Sequence, residues 1–286
     1  MRLSRIFSTT LFFFSALATG LLLSPNEARS AACPSDASTI PNLGEWETST
    51  GGDCSGTPTN YGLKVYSMGF CTADPAAAGS GSSPDYSSCS LTYENASGED
   101  TSFAAGGTNS LTGGTTTLPT ANTYPYAIIK FAKTFTLKGK YGPLGDGKTY
   151  YSSGDAPNSS TGNTSELAAD WTTYDAPLEN FSSASPAVCK SISNEIDRTS
   201  LTLKAYLLDA DGDVVVNSGS SGNCPGVVNV LGVAKFKSGS EVVITSATTA
   251  LTATFTVTNN GMTLYRSQDG KLTMDSGPFN VTFTVE

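Results

Sequence analysis

The sequence predicts an all-β protein, an antiparallel two-sheet sandwich or jelly roll that is loop-rich and disulfide-stapled in its N-terminal half. Three observations predict it. Apolar and polar residues alternate with period two in most of the runs after Tyr124, turn-forming pairs separate those runs, and six cysteines follow an export-type leader.

Residues 1–32 read as a secretory signal peptide. Arg2 and Arg5 give a basic start, the run from Leu11 to Leu23 is apolar, and Ser30, Ala31 and Ala32 are small enough for a cleavage site. The apolar run is about a dozen residues, short of the ~20 that a membrane-spanning helix needs, and no later stretch supplies one. Cleavage would leave residues 33–286 as a single all-β domain, with 33–123 loop-rich and 124–286 strand-rich. A lipidated Cys33 is the alternative to simple release. Ser30 at the place where a lipoprotein carries Leu, the spacer from Ser24 to Arg29, and the even cysteine count all speak against it. The expected location is extracytoplasmic: periplasm, cell surface or secreted.

Six cysteines in an oxidising compartment make three disulfides, and short loops close most readily. That preference pairs Cys33 with Cys54, Cys71 with Cys89, and Cys189 with Cys224. Between Cys33 and Thr123 the clearest strands are Leu63 to Phe70 and Ser90 to Glu94. The connector between Cys71 and Cys89 reads as a surface loop pinned at its base.

From Tyr124 onward the alternation is clean. Ala127, Ile129, Phe131, Phe135 and Leu137 share one face, as do Leu201, Leu203, Ala205 and Leu207. Leu251, Ala253, Phe255 and Val257 alternate with threonines, and so do Phe279, Val281, Phe283 and Val285. One buried and one wet face belong to antiparallel sheet. Asp211-Gly212, Asn260-Gly261 and Asp269-Gly270 mark turns. Helix signals are few, the best being "TSELAADW", where Thr164 or Ser165 would cap a turn or two holding Leu167 and Trp171.

Composition removes whole classes of chemistry. There is no histidine, which excludes Ser-His-Asp and Cys-His centres and histidine-held zinc. The formal charge of −9 becomes about −11 without the leader's three arginines and one glutamate, so nucleic acid and anionic membrane are not expected partners.

One motif points the other way. "GPLGDGKT", residues 142–149, satisfies the phosphate-loop pattern, and "AYLLDAD" ends a strand-like run near Asp209. A phosphate loop needs a buried strand before it and a helix after it. Here an amphipathic strand precedes and "YYSSGDAPNSS" follows, so the stretch is expected to be a hairpin, running out over Phe135 to Tyr141 and back from Lys148 to Tyr151, with no nucleotide bound.

Other candidates rest on weaker patterns. Asp209, Asp211 and Asp213 sit at alternate positions, as calcium ligands often do, although Val214 and Ser220 occupy the places of an EF-hand's glycine and glutamate. Asp170, Asp175, Glu179 and Glu195 could supply a glycosidase pair, but nothing singles two of them out, and no G-x-S-x-G occurs. No catalytic residues and no cofactor are therefore assigned. Tyr150 and Tyr151 are the candidate glycan-stacking pair, with Tyr124, Tyr126, Trp46 and Trp171 as further aromatics. Glycosylation sequons start at Asn95, Asn158, Asn163, Asn180 and Asn280. As a fibre donor the segment after Cys33 is poor, while "FNVTFTVE" is a good strand that its own sheet could use. The resulting expectation is an exported, non-catalytic structural or adhesive component of the cell surface or extracellular material, capable of self-assembly or of contact with surface glycan. A binding module for a glycan or calcium is the alternative.

Overall fold

The computed structural model describes residues 32–34, 54–104, 110–157, 161–182 and 188–286. The leader, Trp46, Asn158 and most of the segment between Cys33 and Cys54 lie outside the described residues. In chain order the strands begin with β1 (Cys54–Gly56), β2 (Asn60–Cys71), β3 (Cys89–Phe103), β4 (Thr115–Thr116), β5 (Asn122–Tyr124), β6 (Tyr126–Ala132) and β7 (Thr134–Lys138). They continue with β8 (Lys140–Tyr141), β9 (Tyr150–Ser152), β10 (Thr164–Ser165), β11 (Tyr174–Pro177), β12 (Val188–Cys189), β13 (Ile196–Asp197) and β14 (Leu201–Leu208). The chain ends with β15 (Ser218–Ser221), β16 (Asn229–Phe236), β17 (Val242–Ile244), β18 (Leu251–Thr256), β19 (Met262–Arg266), β20 (Leu272–Ser276) and β21 (Asn280–Val285). All of these strands pair antiparallel, which bears out the all-β, sandwich-like expectation.

One large sheet organises the molecule. β2 lies between β3 and the β6–β7 run, β16 and β14 continue outward from β6, and β11 pairs with β7. The run from Ala127 to Leu137, read from sequence as one strand, is divided at Lys133. Alternation would carry that lysine into the core. The chain bends there instead, and the Lys133 ammonium pairs with Glu179 at the bend. β2 solves a similar problem with a bulge beside Tyr66. Tyr61, Leu63 and Val65 are buried before it and Met68 and Phe70 after it, an odd-to-even switch that one extra residue produces.

The sheet is buried on both faces. On the front, Phe131, Val230 and Leu207 join one core and Ala127, Ala234 and Phe236 another. On the back, Ile128, Leu231, Val233, Tyr206 and Leu208 pack with Ala76 and Tyr86. Those last two belong to the connector between Cys71 and Cys89, which is therefore not simply a surface loop. Pro75, Ala76 and Pro84 are buried and the segment covers the back of the sheet, held by Gly81 N–H donating to the Val214 carbonyl and Ser80 Oγ to that of Val215.

The front is covered by two smaller sheets. β18 and β21 form a two-stranded ribbon whose phenylalanines meet the main sheet: Phe283 with Phe70 (4.9 Å between ring centres), Phe255 with Phe103 (5.2 Å) and Phe279 with Phe131 (6.0 Å). The sheet β1–β19–β20 adds fully buried Met262, Leu264, Leu272 and Met274 to the same core. The three disulfides are Cys33–Cys54, Cys71–Cys89 and Cys189–Cys224, the pairing that short loops favour. The expected helical segment is a single 3₁₀ turn at Ala168–Asp170. Ser165 Oγ accepts from Leu167 N–H, but Leu167 is 65% exposed and offers no apolar face to hold a longer helix.

Candidate functional site

The stretch around "GPLGDGKT" is a hairpin. β8 pairs with β9, Lys140 opposite Tyr151 and Tyr141 opposite Tyr150. Leu144 N–H donates to the Lys148 carbonyl and Gly147 N–H to that of Leu144, each at 2.8 Å, closing the turn on itself. Gly142 has φ +121, and a Cβ there would lie 2.5 Å from the Lys148 carbonyl oxygen, so its glycine serves the turn. The Lys148 ammonium is held by Glu166 at 2.8 Å, which raises its pKa. Residues 149–157 after the lysine continue as β9 and a bend rather than as a helix, and so offer no row of N-terminal amides to meet a phosphate.

The two hairpin tyrosines part company. Tyr150 points into the core, 7% exposed, with burial raising its pKa, so it cannot serve as a stacking platform; period two puts neighbours on opposite faces. Tyr151 stays half-buried at the surface, its ring 5.6 Å from that of Trp171 and tilted by 54°. Trp171 is fixed by Nε1–H donating to the Gly139 carbonyl at 2.9 Å. The Lys138 ammonium lies 4.7 Å and the Lys140 ammonium 5.5 Å from its ring centre. Among the described residues neither lysine is in an ion pair. The corner thus combines an aromatic pair with two ammonium groups, on a chain whose formal charge is −9. Sequence reading named Tyr151 and Trp171 separately; the 3₁₀ turn brings them together.

The Asp209–Asp213 run folds as a tight turn. Asp209 Oδ1 accepts from the Asp211 and Asp213 N–H groups at 3.0 Å each, and Asp213 accepts from Ser83 Oγ. These contacts turn Asp209 and Asp213 oxygens to separate local partners. Among the described residues no group of three His, Cys, Asp or Glu is placed to hold a metal. The other carboxylates are also dispersed: Asp170 accepts from Ser165, Asp175 from Thr136, Glu179 takes Lys133 and Asn223, and Glu195 is exposed.

Two features escaped the sequence. The first is a cleft of about 280 Å³ between the main sheet and the ribbon. Ile129, Leu203, Ala205 and Val230 form its floor, Phe255 and Phe279 rise on the ribbon side, and among the described residues Lys204 is the one charged residue that borders it. The second is a group of ionisable side chains where β20 leads to the ribbon. Part of Asp275 reaches solvent, yet its carboxyl is enclosed and burial raises its pKa. The Asp275 charge in turn adds to burial in pushing Tyr61, Tyr174 and Tyr265 upward. Tyr61 OH donates to the Gly277 carbonyl at 3.0 Å, whereas Tyr174 OH is buried without a partner.

No protein family matches the chain, and comparisons with curated proteins and with solved structures give no match either.

Proposed function

We propose that the chain is an exported, non-catalytic component of the cell surface or extracellular material, adhesive in role, and that an acidic saccharide is what it adheres to. The observation that carries this reading is the Tyr151–Trp171 corner with Lys138 and Lys140. A carboxylate or sulfate of the sugar meets the two ammonium groups, and its C–H face lies on the tyrosine ring, a division of labour that uses charge for attraction and aromatic area for contact. Three disulfides fit an oxidising compartment, and the dispersed carboxylates and missing histidine favour binding over turnover.

The test is binding to immobilised polygalacturonate, with a neutral glucan as control. The protein is retained by the acidic polymer and not by the neutral one; Lys138→Ala/Lys140→Ala lowers the affinity about tenfold, the scale of two partly exposed charge contacts. Retention that survives this double change at unchanged melting temperature sinks the reading, and so does indifference to the acidic polymer.

A further inference from the structure

The second front-face layer is narrower than the sheet beneath it. The ribbon's rings rest on β2 (Tyr61, Phe70), β3 (Phe103), β6 (Phe131) and the end of β16 (Phe236). On β14 the front-face positions are Leu201, Leu203, Ala205 and Leu207, and the middle of that row lines the cleft. Leu203 and Ala205 remain half-exposed beneath the gap, although their neighbours Leu201 and Leu207 on the same face are buried.

We propose that this cleft is a binding site for an aliphatic chain of about ten carbons, its polar head left in solvent. Length and volume agree on that size. The floor runs along β14 from Leu201 to Ala205, four strand steps or about 13 Å, which is the length of roughly ten extended methylenes. A void of about 280 Å³ holds a similar number, at roughly 30 Å³ for each methylene-sized or water-sized unit. Charge matching selects the chemistry. Among the described residues the lining is almost wholly carbon, with no carboxylate and with Lys204 alone carrying charge, in a molecule otherwise rich in acidic groups. A saccharide would bring hydroxyls, and a peptide strand an N–H and a C=O per residue, to walls that offer them little beyond Ser193 and Ser276. A hydrocarbon chain leaves no polar group behind. The site is independent of the saccharide corner, sharing no residue with it.

The experiment uses the mature protein, 1-aminoanthracene as a fluorescent probe, and n-alkanols from hexanol to tetradecanol as competitors. Displacement should tighten about fourfold with each added methylene and level off near ten carbons. Ala205→Phe fills the floor from a half-exposed position and should weaken decanol binding at least tenfold. Val281→Trp does the same from the ribbon wall and serves if the first variant does not fold. The inference is overturned if the probe does not bind, if competition is insensitive to chain length, or if both folded variants bind decanol like the parent.

Discussion

Asp275 is the residue whose environment most clearly sets a pH dependence. Its pKa is raised because burial disfavours the charged carboxylate, with Ser276 N–H as the opposing influence. A raised folded-state value means that the native protein keeps a proton the unfolded chain has given up. The stabilising share is thus full below the unfolded value and is lost as pH rises through the folded one, above which the enclosed carboxyl carries its charge. Asp275→Asn retains the oxygen that accepts from Ser276 and removes that charge. The variant should be more stable than the parent at pH 7 by on the order of 1 kcal/mol, with the advantage shrinking toward pH 4; urea midpoints at the two pH values measure it. An equal gap at both would show that the carboxyl is effectively solvated. Nothing in the sequence around "LTMDSGPF" marks this aspartate, because the tyrosines that enclose it come from positions 61, 174 and 265.

At the scale of elements, local chemistry was readable and distant pairing was not. The 141–151 hairpin follows from glycines placed for a turn and from strand-like flanks, both of which lie within the segment. The break at Lys133 was also written locally, as a lysine on the apolar face, yet only Glu179 across the bend explains how it is tolerated. The burial of the Cys71–Cys89 connector had little signal, since Pro75, Ala76 and Pro84 resemble any loop until the back of the sheet is placed beneath them. The hairpin makes a graded prediction. Gly147 has φ +81 with open space around it, so Gly147→Ala meets only the left-handed backbone penalty, about 1 kcal/mol. Gly142→Ala, at φ +121, adds a clash with the Lys148 carbonyl and should cost about 2–3 kcal/mol. Chemical denaturation ranks the two, and equal losses would mean that the turn relaxes around residue 142.

Taken as a whole, the molecule is a wide two-faced sheet with a divided front layer, and that asymmetry was illegible in the sequence. Alternation tells which residues of a strand share a face, so the apolar sides of "LTATFTVT" and "FNVTFTV" were plain. It does not tell which strand lies above which, and the cleft opens where Phe255, Phe279 and Phe283 land on β2, β3, β6 and the end of β16 and leave Leu203 and Ala205 of β14 half-buried. The contacts on β2, β3 and β6 join residues more than a hundred positions apart. The same layout predicts uneven local stability. β6 and β16 are held by neighbours on both edges and by side chains on both faces, whereas β18 and β21, among the described residues, pair with each other alone and are half-buried on one face. A two-stranded ribbon has little stability of its own and depends on the few rings beneath it. Hydrogen exchange followed by mass spectrometry should therefore release the amides of Leu251–Thr256 and Asn280–Val285 well before those of Tyr126–Ala132 and Asn229–Phe236. Decanol in the cleft, by filling the gap beside β21, should slow the ribbon and leave the central strands unchanged. Ribbon and central strands exchanging together, in a single cooperative step, would show that the two layers stand or fall as one despite the gap between them.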